Sequence, residues 1–369
     1  MAETLAELIA NFHLPPLARL SNGNPVNTGE EWRRRREEIL VLLRREMYGT
    51  TPDPCQVKGT VLKEDSAAYA GKAVERQIRI DLKAPEGIRS FPLTTVFPRV
   101  RPLKGIFVNI AFMVQGIDGA RYCPGCPIEE IIDEGFAIAI YDYLDITSDD
   151  GDFTTGIAGV FPREAGTGWG KLGMWAYSMS RVADYLHTLD KYTDIPLAAI
   201  GFSRLGKTAL WCGAQDERFD FVMPFGSGTG GVGFTRRNRK ESIGELWNRN
   251  RFWFCDNFHR YRNDADALPF DQHFVIAACA PRRLLTVIGM EDQWADVENE
   301  YLSCIAASEG YLLSGTKGFT APGVFPRADT ALMEGDIAMG LRSGTHFLSR
   351  ADWRVAMNYI NAKSPLRSV

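Results

Sequence analysis

The stretch Leu197-Ala-Ala-Ile-Gly-Phe-Ser-Arg-Leu-Gly-Lys-Thr-Ala-Leu-Trp211 constrains this chain more than any other. A short apolar run ends at Ile200, a turn flanked by small residues carries Ser203, and a helical run begins at once. Strand, sharp turn and helix in that order make the elbow that lifts a nucleophile out of an α/β sheet. Gly201 and Gly206 suit such a turn, where backbone segments approach too closely for a side chain. The spacing departs from G-x-S-x-G, since Gly201 stands two residues before the serine and Gly206 three after it. Taken alone, the stretch fits equally well a glycine-rich strand-to-helix turn with no catalytic role.

The flanking chain agrees with an α/β reading. Trp32, Ile39, Leu40, Leu43 and Met47 recur at near-helical spacing, with Thr28 and Glu31 placed as a capping box before them. Pro52 and Pro54 stop that helix. Strands are expected at 57–62, 76–82, 91–97 and 105–112, and the alternation in Gln77-Ile-Arg-Ile-Asp-Leu82 suits a half-exposed antiparallel strand. Thereafter the pattern alternates: helix 128–133 opened by Pro127, buried strand 136–141, a long loop 142–173 rich in Asp, Gly and Thr, and helix 175–189. The elbow strand 197–200 and its helix come next, then strand 219–225, an aromatic segment 247–261, strand 283–289, helix 297–309 and a terminal helix 352–362. Antiparallel strands first and strand–helix alternation later predict an α/β sheet with helices on both faces. With no repeat or linker, residues 1–369 are expected to form a single domain, about 1–50 being a helical arm packed on it.

A net charge of −4 argues against nucleic acid or an anionic membrane as partner. The basic runs Arg33-Arg34-Arg35-Arg36 and Arg236-Arg237-Asn238-Arg239-Lys240 are expected to be solvated faces. No apolar run reaches transmembrane length, and the N-terminus lacks a charged-then-apolar leader. The expectation is a cytoplasmic protein, or a secreted one if a leader has been removed. Seven cysteines are an odd number for a disulfide framework. Cys123-Pro-Gly-Cys126 has metal-ligand spacing but no second pair to complete a site, so neither metal nor other cofactor is expected.

A serine becomes a nucleophile only when a base accepts its proton, and the base needs an acid to orient it. On the plan of Ser, then acid, then His, three histidines follow Ser203. His259 and His273 read as structural, whereas His346 lies in a loop just before the terminal helix and is the expected base. The acid belongs at a strand end between them. Gly226-Ser-Gly-Thr-Gly-Gly231 holds no carboxylate, while Glu291-Asp-Gln-Trp-Ala-Asp296 offers three. Asp292 is the choice, with Asp296 and Glu291 as fallbacks, Asp296 fitting a helix N-cap better. The Arg204 N–H and guanidinium can meet a developing oxyanion. Lys207, four residues past Ser203, falls on the same helical face and reads either as a substrate contact or as a solvated lysine.

Gly201-Phe-Ser-Arg-Leu-Gly-Lys207 resembles the G-x-S-R-x-G-K signature of the glucuronoyl esterases, carbohydrate esterase family 15. Trp169-Gly170, Ala209-Leu-Trp-Cys-Gly213, Ser227-Gly-Thr-Gly-Gly231, Trp253-Phe-Cys-Asp-Asn-Phe258, Asp266 to His273, Glu291 to Asp296 and Gly344-Thr-His346 agree in order, over about residues 15–362. The resemblance implies an α/β-hydrolase fold, a three-layer αβα sandwich whose mostly parallel sheet has an antiparallel N-terminal part. It implies a metal-free serine esterase acting on esters of (4-O-methyl-)glucuronic acid, as in lignin–glucuronoxylan linkages. On this resemblance Ser203 is nucleophile, His346 base, Arg204 oxyanion donor, Lys207 a ligand of the sugar hydroxyls and Trp294 a platform for the uronic acid ring. Where many members carry a glutamate after the strand that follows the elbow helix, this chain has Gly226, which leaves the acid to Asp292. Glu245 is a weaker candidate contact, because 241–251 fits the sugar-contact region loosely. The alternatives are an acetyl-xylan or other carbohydrate esterase, and an inactive hydrolase fold used as a binding module.

Overall fold

The computed structural model describes residues 5–99, 102–117, 119–189 and 192–363. Helix α1 (Leu5–Ala10) precedes α2 (Gly29–Leu43), whose N-cap Thr28 and Glu31 form the expected reciprocal capping box before the helix runs into a π turn at Arg44–Tyr48. Strands β1 (Gln56–Ala68), β2 (Ala73–Ala84) and β3 (Gly87–Pro98) form an antiparallel meander, and Ile78, Ile80 and Leu82 of β2 are buried while Gln77 and Arg79 face out. The chain continues through β4 (Ile106–Ala111), the short pair β5 (Val114–Gln115) and β6 (Arg121–Tyr122), α3 (Ile128–Asp133) and β7 (Ala137–Asp142). Next come α4 (Lys171–His187), β8 (Leu197–Phe202), α5 (Arg204–Gln215), β9 (Phe219–Phe225), α6 (Ile243–Asn250) and α7 (Gln272–Ala278). Strand β10 (Arg283–Gly289), α8 (Val297–Leu313), β11 (Thr330–Leu332), β12 (Ile337–Arg342) and α9 (Arg350–Lys363) complete the described elements.

Ten of these strands form one sheet in the order β1-β2-β3-β7-β4-β8-β9-β10-β12-β11. It is antiparallel from β1 to the β3–β7 pair, parallel from β7 to β12, and antiparallel again at β11. Alternate strand residues enter two separate cores: Val108 and Ala199 join the side chains of α2, α4, α5 and α8, while Phe107 and Ile200 pack with α3 and α9. This is the three-layer α/β-hydrolase architecture. Parallel strands bring their C-terminal ends to one edge, where ligands of such sheets bind. Residues following β8, β10 and β12 therefore converge there.

Two expectations need correcting. The basic runs are not simply solvated. Arg35, Arg36 and Arg236 are buried, because guanidinium groups reach carbonyls left unpaired by neighbouring elements: Arg36 donates to Ala278 O (2.7 Å) and Ala214 O (2.9 Å), and Arg236 to Phe270 O (2.8 Å) beside Asp271. The loop from Asp142 is also shorter than expected, since α4 starts at Lys171. No helix among the described residues is long and apolar enough to cross a membrane.

Candidate active site

Ser203 sits between β8 and α5 with φ 59° and ψ −125°, a strained conformation for a residue with a side chain. Its N–H donates to Phe225 O (2.9 Å) on β9, which clamps the turn to the neighbouring strand. Gly206 makes that clamp possible, because a Cβ there would lie 2.6 Å from the same carbonyl oxygen. The turn aims Oγ along the sheet edge and sets Arg204 as the first residue of α5, where N–H groups have no intrahelical acceptor.

His346, in the loop after β12, meets Ser203 directly. Its Nε2 lies 2.9 Å from Ser203 Oγ and its Nδ1 2.7 Å from Asp292 Oδ2. Asp292 follows β10 and is buried. Its Oδ1 accepts the N–H groups of Trp294 (2.7 Å) and Ala295 (2.9 Å), which leaves Oδ2 aimed at the imidazole. Burial pushes the Asp292 carboxyl up, but the His346 hydrogen bond and the two backbone donors outweigh it and hold the group below the usual carboxylate range. An ionised Asp292 fixes the proton on Nδ1 and leaves Nε2 free to accept. Of the fallbacks, Asp296 caps α8 through Asn299 N (3.2 Å), and Glu291 is exposed.

A cavity of about 360 Å³ opens beside Ser203 and His346, walled by Arg204, Lys207, Glu241, Arg249, Trp253 and Trp294. Lys207 is buried rather than solvated: its Nζ donates to Ser227 O and to Thr229 O (2.7 Å), with a Glu241 carboxylate oxygen at 4.0 Å, and burial lowers its pKa. Trp294 is half exposed, and the Arg249 guanidinium lies 4.9 Å over its ring. Glu245 is a correction. Its carboxylate closes a capping box with Ser242 at the start of α6, so it points at its own helix and does not line the cavity. Glu241, four residues earlier, presents the carboxylate there and pairs with Arg249.

Arg204 pairs with Asp149, in the loop after β7, and Trp253 Nε1 donates to the other Asp149 oxygen (2.7 Å). Asp149 has no role in the sequence reading, and Glu241, Arg249 and Trp253 fall in segments that carry the resemblance without a role of their own there. Only the length and Asp content of the 142–173 loop hinted at the first. His259 and His273 lie off the cavity, His273 buried with Nε2 3.3 Å from Pro15 O. A larger cavity of about 550 Å³, between Pro52–Cys55 and Phe161–Trp169, holds none of the candidates. All seven cysteines are free, and no group of three His, Cys, Asp or Glu among the described residues is placed to hold a metal.

Comparison with known proteins places these observations among relatives. The family model for fungal glucuronyl esterases matches residues 123–315. A carbohydrate esterase of an unknown prokaryotic organism is 28% identical over 95% of this chain and 89% of its own length. A 4-O-methyl-glucuronoyl methylesterase of Schizophyllum commune is 28% identical over 81% of this chain and 72% of its own. The solved glucuronoyl esterase of Solibacter usitatus superimposes with a TM-score of 0.83, at 27% identity, over 95% of this chain and 98% of that one.

Proposed function

The chain belongs to the glucuronyl esterase family, and from that premise we propose that it cleaves esters of (4-O-methyl-)glucuronic acid, such as lignin–glucuronoxylan linkages, through an acyl-enzyme on Ser203. It is a carboxylic ester hydrolase. The observation that carries the mechanistic reading is the unbroken run from Asp292 through His346 to Ser203, with contacts of 2.7 and 2.9 Å.

Ser203 Oγ attacks the ester carbonyl while His346 Nε2 takes its proton, and the ionised Asp292 stabilises the imidazolium. The negative charge that gathers on the carbonyl oxygen faces the Arg204 N–H and guanidinium. Collapse breaks the C–O bond to the alcohol, which leaves with the proton from His346. Water then attacks the acyl-enzyme with His346 again as base, and the carboxylic acid departs. Two Lys207 N–H donors go to backbone carbonyls, so the third is available to a sugar hydroxyl. The exposed part of Trp294 offers a flat apolar face to the sugar ring.

Turnover of benzyl glucuronate compared with that of an acetylated xylo-oligosaccharide tests the substrate. The glucuronate ester is expected to be preferred, with Ser203→Ala lowering kcat by about 10⁴-fold or more. Preference for the acetate replaces this reading with that of an acetyl esterase. Equal rates for wild type and Ser203→Ala on every ester point instead to a binding module.

A further inference from the structure

The loop after β7 builds a support behind Arg204. Asp149 Oδ2 holds the Arg204 guanidinium and also accepts from Tyr143 OH (3.3 Å), while Oδ1 accepts from Trp253 Nε1 (2.7 Å). The Asp149 side chain is only 11% exposed, against 33% for Arg204. The guanidinium is sandwiched as well, lying 4.9 Å over the Trp253 ring and 5.8 Å over that of Phe112. Asp149 is itself fixed from below. Lys171, fully buried at the start of α4, donates to Thr147 Oγ1 (2.8 Å), to Ser148 Oγ (3.4 Å) and to Asp152 O, anchoring the loop on both sides of Asp149.

A carboxylate that engages one end of a guanidinium leaves the other donors free and fixes their direction. Arg204 Nε is buried and has no acceptor among the described residues, and Arg204 lines the cavity beside Ser203.

We propose that Asp149 is a positioning residue, which locks the Arg204 guanidinium so that its free donors meet the oxyanion formed at Ser203. This rests on the role given to Arg204 above. The 142–170 loop is then part of the reaction's electrostatic frame, and the position of Arg204 is set before substrate arrives, as effective oxyanion stabilisation requires.

Asp149→Asn keeps the shape and the acceptor for Trp253 but removes the charge that holds Arg204. For 4-nitrophenyl acetate and for benzyl glucuronate it is expected to lower kcat by about tenfold to a hundredfold with KM within about twofold, a part of the loss seen when one oxyanion donor is deleted. In an Arg204→Met background the same substitution is expected to add nothing, since both act through one group. Tyr143→Phe, which removes a neutral contact to the same oxygen, is the second variant should Asp149→Asn fold poorly, and a loss of about twofold to fivefold in kcat alone is expected. Wild-type kcat in both variants, losses that multiply with Arg204→Met, or a faster Asp149→Asn enzyme overturn the proposal; the last means the ion pair only withholds Arg204. Turnover of 4-nitrophenyl acetate without turnover of any glucuronate ester removes the substrate reading and leaves the Asp149 test intact. No turnover of either overturns both.

Discussion

Asp292 distributes its two oxygens between two tasks, Oδ1 to the turn that carries it and Oδ2 to His346. An asparagine keeps the turn contacts through its carbonyl but presents an amide N–H to Nδ1, which favours the tautomer with its proton on Nε2. Asp292→Asn is therefore expected to lower kcat by about 10⁴-fold with little change in KM or melting temperature. Asp296→Asn should leave kcat near wild type but lower stability, because one oxygen caps Asn299 N while the other accepts from Arg239 N (3.2 Å) and Nε (3.4 Å), which an amide NH2 cannot do. The reverse pattern in steady-state kinetics transfers the role to Asp296. Ser203, His346 and Asp292 could be singled out because the α/β-hydrolase plan expects nucleophile, acid and base in that chain order, and the structure sets the three within hydrogen-bond reach. Asp149 and Glu241 could not be singled out in the same way, because what ties each to the site is a partner more than thirty residues away, Arg204 for one and Lys207 for the other.

At the level of elements, the elbow is held by the approach of α5 to β9. A methyl group on residue 206 has to displace the Phe225 carbonyl, which also anchors Ser203 N–H. Gly206→Ala is expected to cost roughly 2 kcal/mol or more and to lower kcat at least tenfold in the folded fraction, read by denaturant melts and by kcat corrected with an active-site titrant. Strands β9 and β10 and helix α3 lie where their apolar runs and flanking residues put them. Strand β12 escaped notice, although all six of its residues are buried, because Ile337-Ala-Met-Gly-Leu-Arg342 is short, glycine-interrupted and without alternation. A strand covered on both faces carries no period of two. Helix α7 shows in the sequence only as a helix start at His273, because it is buried on every side and polar residues do not mark a solvent face along its length.

At the scale of the whole molecule, two of the buried titrating groups, Glu300 and His273, have effects on stability of opposite sign. Burial pushes Glu300 up to about 8 from its ordinary 4.5, despite the Gly228 N–H donating to Oε1 (2.7 Å). As a neutral acid it can donate from Oε2 to Thr286 Oγ1 (3.2 Å), whose own proton then goes to Pro224 O (3.2 Å). From pH 4.5 to about 8 the fold keeps a proton that the unfolded chain has released, so Glu300 makes stability fall as pH rises through that window. His273 is lowered by burial from 6.5 to about 4, so it makes stability fall as pH drops from 6.5 towards 4. Above pH 6.5 only the Glu300 effect operates of the two. The wild-type melting temperature is expected to decline between pH 6.5 and 8, and Glu300→Gln, which keeps both contacts, to flatten that decline. A decline of equal slope in the variant shows that the proton is held elsewhere.

Phe202 and Gly226 occupy adjacent strand ends as a matched pair. The ring edge of Phe202 lies 2.6 Å from where a Cβ at position 226 would stand, and the ring packs on the His346 imidazole at 4.7 Å between centroids. Gly226 also has a φ of 50°, which side chains resist. A carboxylate installed there by Gly226→Glu has no room while Phe202 remains, so Asp292→Asn/Gly226→Glu is expected to stay inactive. Adding Phe202→Ala is expected to recover at least tenfold in kcat; recovery without it shows that the ring yields. The aromatic ring that packs on the base thus also closes the neighbouring strand end to a second acid, so moving the carboxylate there takes at least two coordinated changes.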